Sequence, residues 1–166
     1  MVCSEVKKME LLIAYIDTSV FGAIYDIEDA YRVDVTKNLI DILKDRKGFE
    51  PYISNIVIEE VEEAPTDLKN NLKHLIKNTK CQIIYENEQC IELVNEYLKN
   101  RIVPSKHRDD ARHIAVAVIH NMDLIITWNC RHMANVEKKR KINAVNIMFG
   151  YKEIDIVTPL EVVGYG

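Results

Sequence analysis

Carboxylates and hydroxyls recur where apolar runs of this chain end. Asp17-Thr18-Ser19 follows residues 11–16, and Glu59 and Glu60 lie shortly beyond residues 49–53. Asp109-Asp110 precedes a strongly apolar stretch, and Thr127-Trp128-Asn129 follows Leu124-Ile125-Ile126. Carboxylates gathered in one place repel one another and hold their protons more tightly unless a cation answers their charge. Oxygen donors, with no C-x-x-C pair and no i, i+4 histidine pair in the chain, favour Mg²⁺ or Mn²⁺ over zinc. Such ions activate water and stabilise charge on a phosphodiester during in-line attack. Each acid taken alone is more often a helix cap or a turn residue, so the reading rests on their shared placement.

That placement depends on the elements around them. Residues 11–16 form a short continuous apolar run, which suits a strand buried on both faces of a parallel sheet. Val33, Leu39, Ile40 and Leu43 predict a helix over 31–43. Residues 49–53 read as a second strand, with Ser54 capping the helix that carries Glu59 and Glu60. Pro65 sits at the first turn of a helix over 66–76. A third strand over 81–85 leads to a helix over 87–98, and the polar stretch 101–108 with Pro104 reads as a loop. A helix over 110–121 buries Ile114, Ala115, Ala117 and Val118; strands follow over 123–127 and 154–157, with a helix over 136–147 between them.

This alternation predicts a three-layer α/β/α sandwich with a mostly parallel central sheet, as a single domain over 1–166. Residues 1–9 read as a disordered leader ahead of an alternative start at Met9. Ligand sites of open α/β sheets form beyond the carboxyl ends of the strands. Asp17, Glu60, Asp110 and Asn129 are therefore expected along one edge.

The segments Ala14-Tyr15-Ile16-Asp17-Thr18-Ser19, Ile53-Ser54-Asn55-Ile56-Val57-Ile58-Glu59-Glu60-Val61, Asp110-Ala111-Arg112-His113-Ile114-Ala115-Val116-Ala117 and Ile126-Thr127-Trp128-Asn129 resemble the successive motifs of the PIN-domain family. Their order, spacing and strand context match over nearly the whole chain. The resemblance implies a metal-dependent endoribonuclease, most often the toxin of a VapBC-type toxin–antitoxin pair. It implies Asp17, Glu60 and Asp110 as metal-binding acids for Mg²⁺ or Mn²⁺, a small antitoxin as partner and a homodimer. Glu60 is preferred to Glu59 by its distance from Ser54, and Asp110 to Asp109 because it directly precedes the Ala-x-x-Ile-Ala pattern. Many members carry Asp where this chain has Asn129. An amide oxygen can still coordinate or hydrogen-bond but brings no charge, which weakens a second metal more than the first. Asn129 stays in the catalytic set on these terms.

The net charge of −4 and pI of about 5.8 exclude binding of nucleic acid through bulk charge. RNA therefore requires a local basic surface. Arg131 and the run Lys138-Lys139-Arg140-Lys141, together with Arg101, Lys106, Arg108 and Arg112 around the Asp110 motif, are the candidates. Arg131 and Lys138 are assigned to the substrate with Thr18 and Thr127. Among the histidines, His132 is placed near a phosphate, while His74, His107, His113 and His120 read as structural or surface groups. Ser19 reads as a cap of the following helix.

Cys3, Cys81, Cys90 and Cys130 are scattered single thiols, as in a reducing compartment. No run reaches the roughly 18 to 20 apolar residues that span a bilayer, so a cytoplasmic protein that makes no membrane contact is expected. Asp17-Thr18-Ser19 lacks the second Asp of a haloacid-dehalogenase-type phosphatase, and no G-x-x-x-x-G-K or G-x-G-x-x-G is present. The alternative that Asn129 motivates is a PIN-like module that binds RNA or protein without cutting.

Overall fold

The computed structural model describes residues 10–164; the leader reading falls outside them. Five strands form one sheet in the order β3-β2-β1-β4-β5, with β1 Leu12–Ile16, β2 Phe49–Ser54, β3 Gln82–Ile84, β4 Leu124–Ile126 and β5 Asp155–Val157. Every pairing is parallel. Ala14, Tyr15 and Ile16 are all fully buried. Because successive strand residues face opposite sides, β1 must be covered above and below, and the result is the three-layer α/β/α sandwich.

The helices are α1 Thr18–Ala23, α2 Ala30–Lys44, α3 Asn55–Glu62, α4 Thr66–Thr79, α5 Glu88–Lys99, α6 Arg108–Ile119, α7 Val136–Met148 and α8 Pro159–Val163. One group packs α2 against α1, α4 and α8, another packs α5 against α6 and α7, and α3 touches both α4 and α6. No described helix is long and apolar enough to cross a membrane.

The main elements stand where the sequence places them, within a residue or two at their ends, except that α4 continues three residues past its expected end to Thr79. Ser54 accepts the Ile56 N–H as the cap of α3, whereas Pro65 lies one residue ahead of α4 rather than in its first turn. Two short helices, α1 and α8, have too few residues to show a period. The expected loop 101–108 contains a 3₁₀ turn, Ser105–His107, that runs directly into α6. This starts α6 two residues earlier than expected.

The sheet reverses its order of construction between β1 and β4, since β2 and β3 build outward on one side and β4 and β5 on the other. Such a switch point leaves a crevice at the carboxyl ends of the two strands. On the far side, the position of α7 depends on a buried polar link. The Tyr97 hydroxyl donates to Asn146 Oδ1, Asn146 Nδ2 donates to Asn143 Oδ1 at 3.2 Å, and Asn143 holds both backbone polar groups of Ile154. Replacing Asn146 by Leu strands the Tyr97 hydroxyl in the core. It is expected to cost about 1–3 kcal/mol, measured by urea denaturation.

Candidate metal centre

Asp17 leaves the end of β1 at the switch point and is only 5% exposed. Its Oδ2 accepts hydrogen bonds from Ser19 Oγ at 2.5 Å and Thr127 Oγ1 at 2.8 Å. Each hydroxyl oxygen in turn accepts a backbone N–H from the loop after β4, Trp128 N to Ser19 and Asn129 N to Thr127, both at 3.0 Å. Oδ1 faces His113 Nε2 at 3.4 Å.

This network corrects two expectations. Thr127 is fully buried behind Asp17 and orients it instead of facing a substrate. Ser19 lies within α1 and bonds Asp17; it is not the cap of that helix. Thr18 Oγ1 is buried with no hydrogen-bond partner among the described residues, which sets it back from a surface-bound substrate.

The adjacent acids of α3 point to different partners. Glu60 Oε1 lies 2.6 Å from His113 Nε2. Glu59 turns outward to Asn55 Nδ2 and the Arg112 guanidinium, each at 2.9 Å. The acids at the start of α6 divide in the same way. Asp109 pairs with Arg112 at 3.1 Å, while Asp110 faces inward beside Asp17, Asn129, His113 and His132. Glu60 and Asp110 therefore join Asp17, and Glu59 and Asp109 do not.

His113 sits among the three acids and is 2% exposed. Burial pulls its pKa down, but Asp17, Glu60 and Asp110 outweigh burial and the net shift is upward. As an imidazolium it donates through Nε2 to Glu60 and through Nδ1 to the Tyr15 hydroxyl at 2.6 Å. Burial pushes the Tyr15 phenol well up, so it stays neutral. It donates to Ser54 Oγ at 2.7 Å, the same oxygen that caps α3. The His113 and Tyr15 donors of this buried chain then each have an acceptor.

Burial and the nearby Asp17 raise the pKa of Asp110, with the Asn129 amide, His132 and His113 offsetting part of the rise. Asn129 Oδ1 accepts the His132 N–H at 3.0 Å. Asn129 Oδ1 is thus taken by a backbone donor, and its amide is near enough to Asp110 to pull that acid's pKa down. His132 is held below its ordinary pKa by burial and by His107, with Arg131 and Lys138 adding to the effect. Those two cations thus stand on the Asp110 side of the centre. Arg131 is exposed, and Lys138 is half-buried and donates to the Ile102 carbonyl.

Three of the remaining basic candidates are paired with acids, whereas Arg101, Lys106, Arg108 and Arg140 are exposed. Arg112 is engaged by Glu86 at 2.5 Å as well as by Glu59 and Asp109. Lys139 pairs with Asp155 and Lys141 with Glu137. His74 bonds Asn78 and His120 bonds the Tyr85 carbonyl, both structural roles.

The sequence reading missed His113 and His107 as members of this region. Both had a visible signal, since each lies three residues from Asp110 and i, i+3 positions share a helix face. Histidine-to-histidine spacing does not reveal this, whereas histidine-to-acid spacing does.

Two outcomes follow for the protein in chelator. A histidine with a raised folded pKa contributes stability that is full below its ordinary value of about 6.5 and is lost as pH rises through the folded value. Thermal melts should therefore show stability falling above about pH 6.5, with the slope flattened in His113→Gln. Asp110 acts in the same direction, because an acid with a raised folded pKa is costly to ionise in the fold. Asp110→Asn should raise the metal-free melting temperature at neutral pH by about 2–4 °C.

The PIN domain sequence profile matches residues 14–139. No curated protein matches the chain in sequence. Among solved structures, a chain of the crystal structure of VapBC2 from Rickettsia felis, bound to a DNA fragment from their promoter, aligns with a TM-score of 0.58. It is 17% identical, and the alignment covers 89% of this chain and 98% of that one. At that identity the likeness is one of fold. The profile spans most of the chain and all four residues from Asp17 to Asn129, and on that match the chain belongs to the PIN domain family.

Proposed function

We propose that this chain is a divalent-metal-dependent endoribonuclease acting as the toxin of a VapBC-type toxin–antitoxin pair. The observation that carries the reading is the meeting of Asp17 and Glu60 on one buried imidazole at the switch point of the sheet, with Asp110 near enough for its charge to act on the same ring. Membership of the PIN domain family supports a nuclease, and the fold likeness to a VapBC2 chain supports a small antitoxin partner. The toxin reading goes with a cytoplasmic location.

The donor set suits a hard cation. Asp17, Glu60 and Asp110 offer carboxylate oxygens, and burial together with the Asp17 charge raises the pKa of Asp110, a cost that a cation would relieve. Mg²⁺ or Mn²⁺ held there would supply Lewis-acid stabilisation of a phosphodiester and a nucleophile at neutral pH. The chain's own residues prepare that position. Ser19 and Thr127 fix Asp17 Oδ2 and leave Oδ1 turned inward. His113, held by Tyr15, keeps Glu60 and Asp17 together before any cation arrives. Asn129 orients Asp110, while Arg131 and Lys138 supply positive charge for the phosphates.

Asn129 favours a second reading, a module that binds RNA without cutting, because the fourth corner brings no negative charge. Cleavage of single-stranded RNA in Mg²⁺ or Mn²⁺ distinguishes the two. The nuclease reading expects metal-dependent cleavage that falls roughly hundredfold or more in Asp17→Asn. RNA retained intact at millimolar Mn²⁺, or unchanged cleavage by the variant, would overturn it.

A further inference from the structure

We propose that His107, His132 and Asp110 form a second cation position that shares Asp110 with the three-acid centre and takes an imidazole-binding ion such as Mn²⁺, Co²⁺ or Zn²⁺. Among the described residues, these three alone bring histidine, cysteine or acidic donor atoms all within 4.8 Å of one another. His107 Nδ1 lies 3.9 Å from Asp110 Oδ2, and the two imidazoles stack with centroids 4.1 Å apart at 27°.

The two rings differ from the other histidines. His74, His113 and His120 each have a protein hydrogen-bond partner. No hydrogen bond to protein holds the ring of His107 or His132 among the described residues. All three proposed ligands are partly exposed, so an ion can reach them. Metal–nitrogen and metal–oxygen bonds of about 2.0–2.2 Å place adjacent donors about 3–3.5 Å apart. The present separations need only modest side-chain rotation, in which the stacked rings fan open toward one ion.

The backbone already fixes both sides. His107 ends the 3₁₀ turn, with its N–H on the Pro104 carbonyl at 2.8 Å, and runs into α6 three residues before Asp110. Asn129 holds His132 through its backbone N–H while its amide faces Asp110. The residue that withholds charge from the fourth corner thus positions a neutral nitrogen ligand near it. Two imidazoles and one carboxylate favour borderline transition ions, whereas Mg²⁺ prefers an all-oxygen set. A chain read from its sequence as purely oxygen-ligated therefore acquires a mixed site through folding.

The proposal rests on the reading of Asp110 as a metal ligand. Its test uses full-length protein, stripped with chelator and titrated without RNA, so the result stands apart from whether the chain cleaves RNA. Mn²⁺ binding is followed by loss of the free-ion paramagnetic resonance signal, and Co²⁺ binding by its visible absorption. Two Mn²⁺ per chain are expected in the wild type. One should remain in Asp17→Asn, and one in the double variant His107→Gln/His132→Gln, with Co²⁺ affinity of the double variant reduced at least about tenfold. A single Mn²⁺ per wild-type chain, or Co²⁺ binding and absorption unchanged in the double variant, would overturn the proposal. Circular dichroism on the same samples establishes that the Gln variants are folded, so that lost binding reports the ligands.

Discussion

The structure turns on a carboxylate that has almost no access to water. Asp17 must have its charge answered from within, and it divides the task between its two oxygens. Two hydroxyls hold Oδ2, and the His113 imidazole faces Oδ1. Because those hydroxyls also take the Trp128 and Asn129 N–H groups, the loop after β4 hangs from the end of β1. Asn129 passes the constraint on to His132 and Asp110. The position of one buried acid therefore reaches His132, at the outer part of the centre, through three successive polar contacts.

Charge is sorted along α3 and α6 with the same economy. Consecutive acids on α3, Glu59 and Glu60, meet consecutive bases on α6, Arg112 and His113. Asp109 and Asp110 repeat the division three residues earlier on α6. The outer set closes on Arg112 and Glu86, where burial would raise the Glu86 carboxyl but Arg112 and Asn55 pull it lower. The inner set closes on His113. The guanidinium is permanently charged and binds its acids as a fixed structural tie. The imidazole can give up its proton, so the inner set can exchange one positive charge for another. Two adjacent residues thus separate a permanent ion cluster from an exchangeable one.

Much of this was legible in the sequence. The continuous apolar runs gave strands buried on both faces, and the acids at their ends gave the edge of the site, because burial and alternation leave direct marks on residue type. Ser54 as a cap and Glu60 over Glu59 also follow from local spacing. What stayed hidden depends on three-dimensional partners. Arg112 reads as part of a basic surface until Glu86, from another segment, is seen to neutralise it. Thr127 reads as a substrate contact until its burial behind Asp17 is known. His107 and His132 meet only because the 3₁₀ turn and the β4 loop converge on Asp110.

The central position of β1 carries a consequence for the growing chain. Its register ties Leu12 to Phe49 on one side and Ala14 to Leu124 on the other. The hydroxyl that clamps Asp17 comes from Thr127, and the loop that completes the centre ends past His132. A nascent chain emerging from the ribosome holds Asp17 and Glu60 long before it can assemble them, and contacts so distant in sequence are slow to close. The chain must therefore be made past His132 before the pocket exists, and fragments that stop before β4 are born without it.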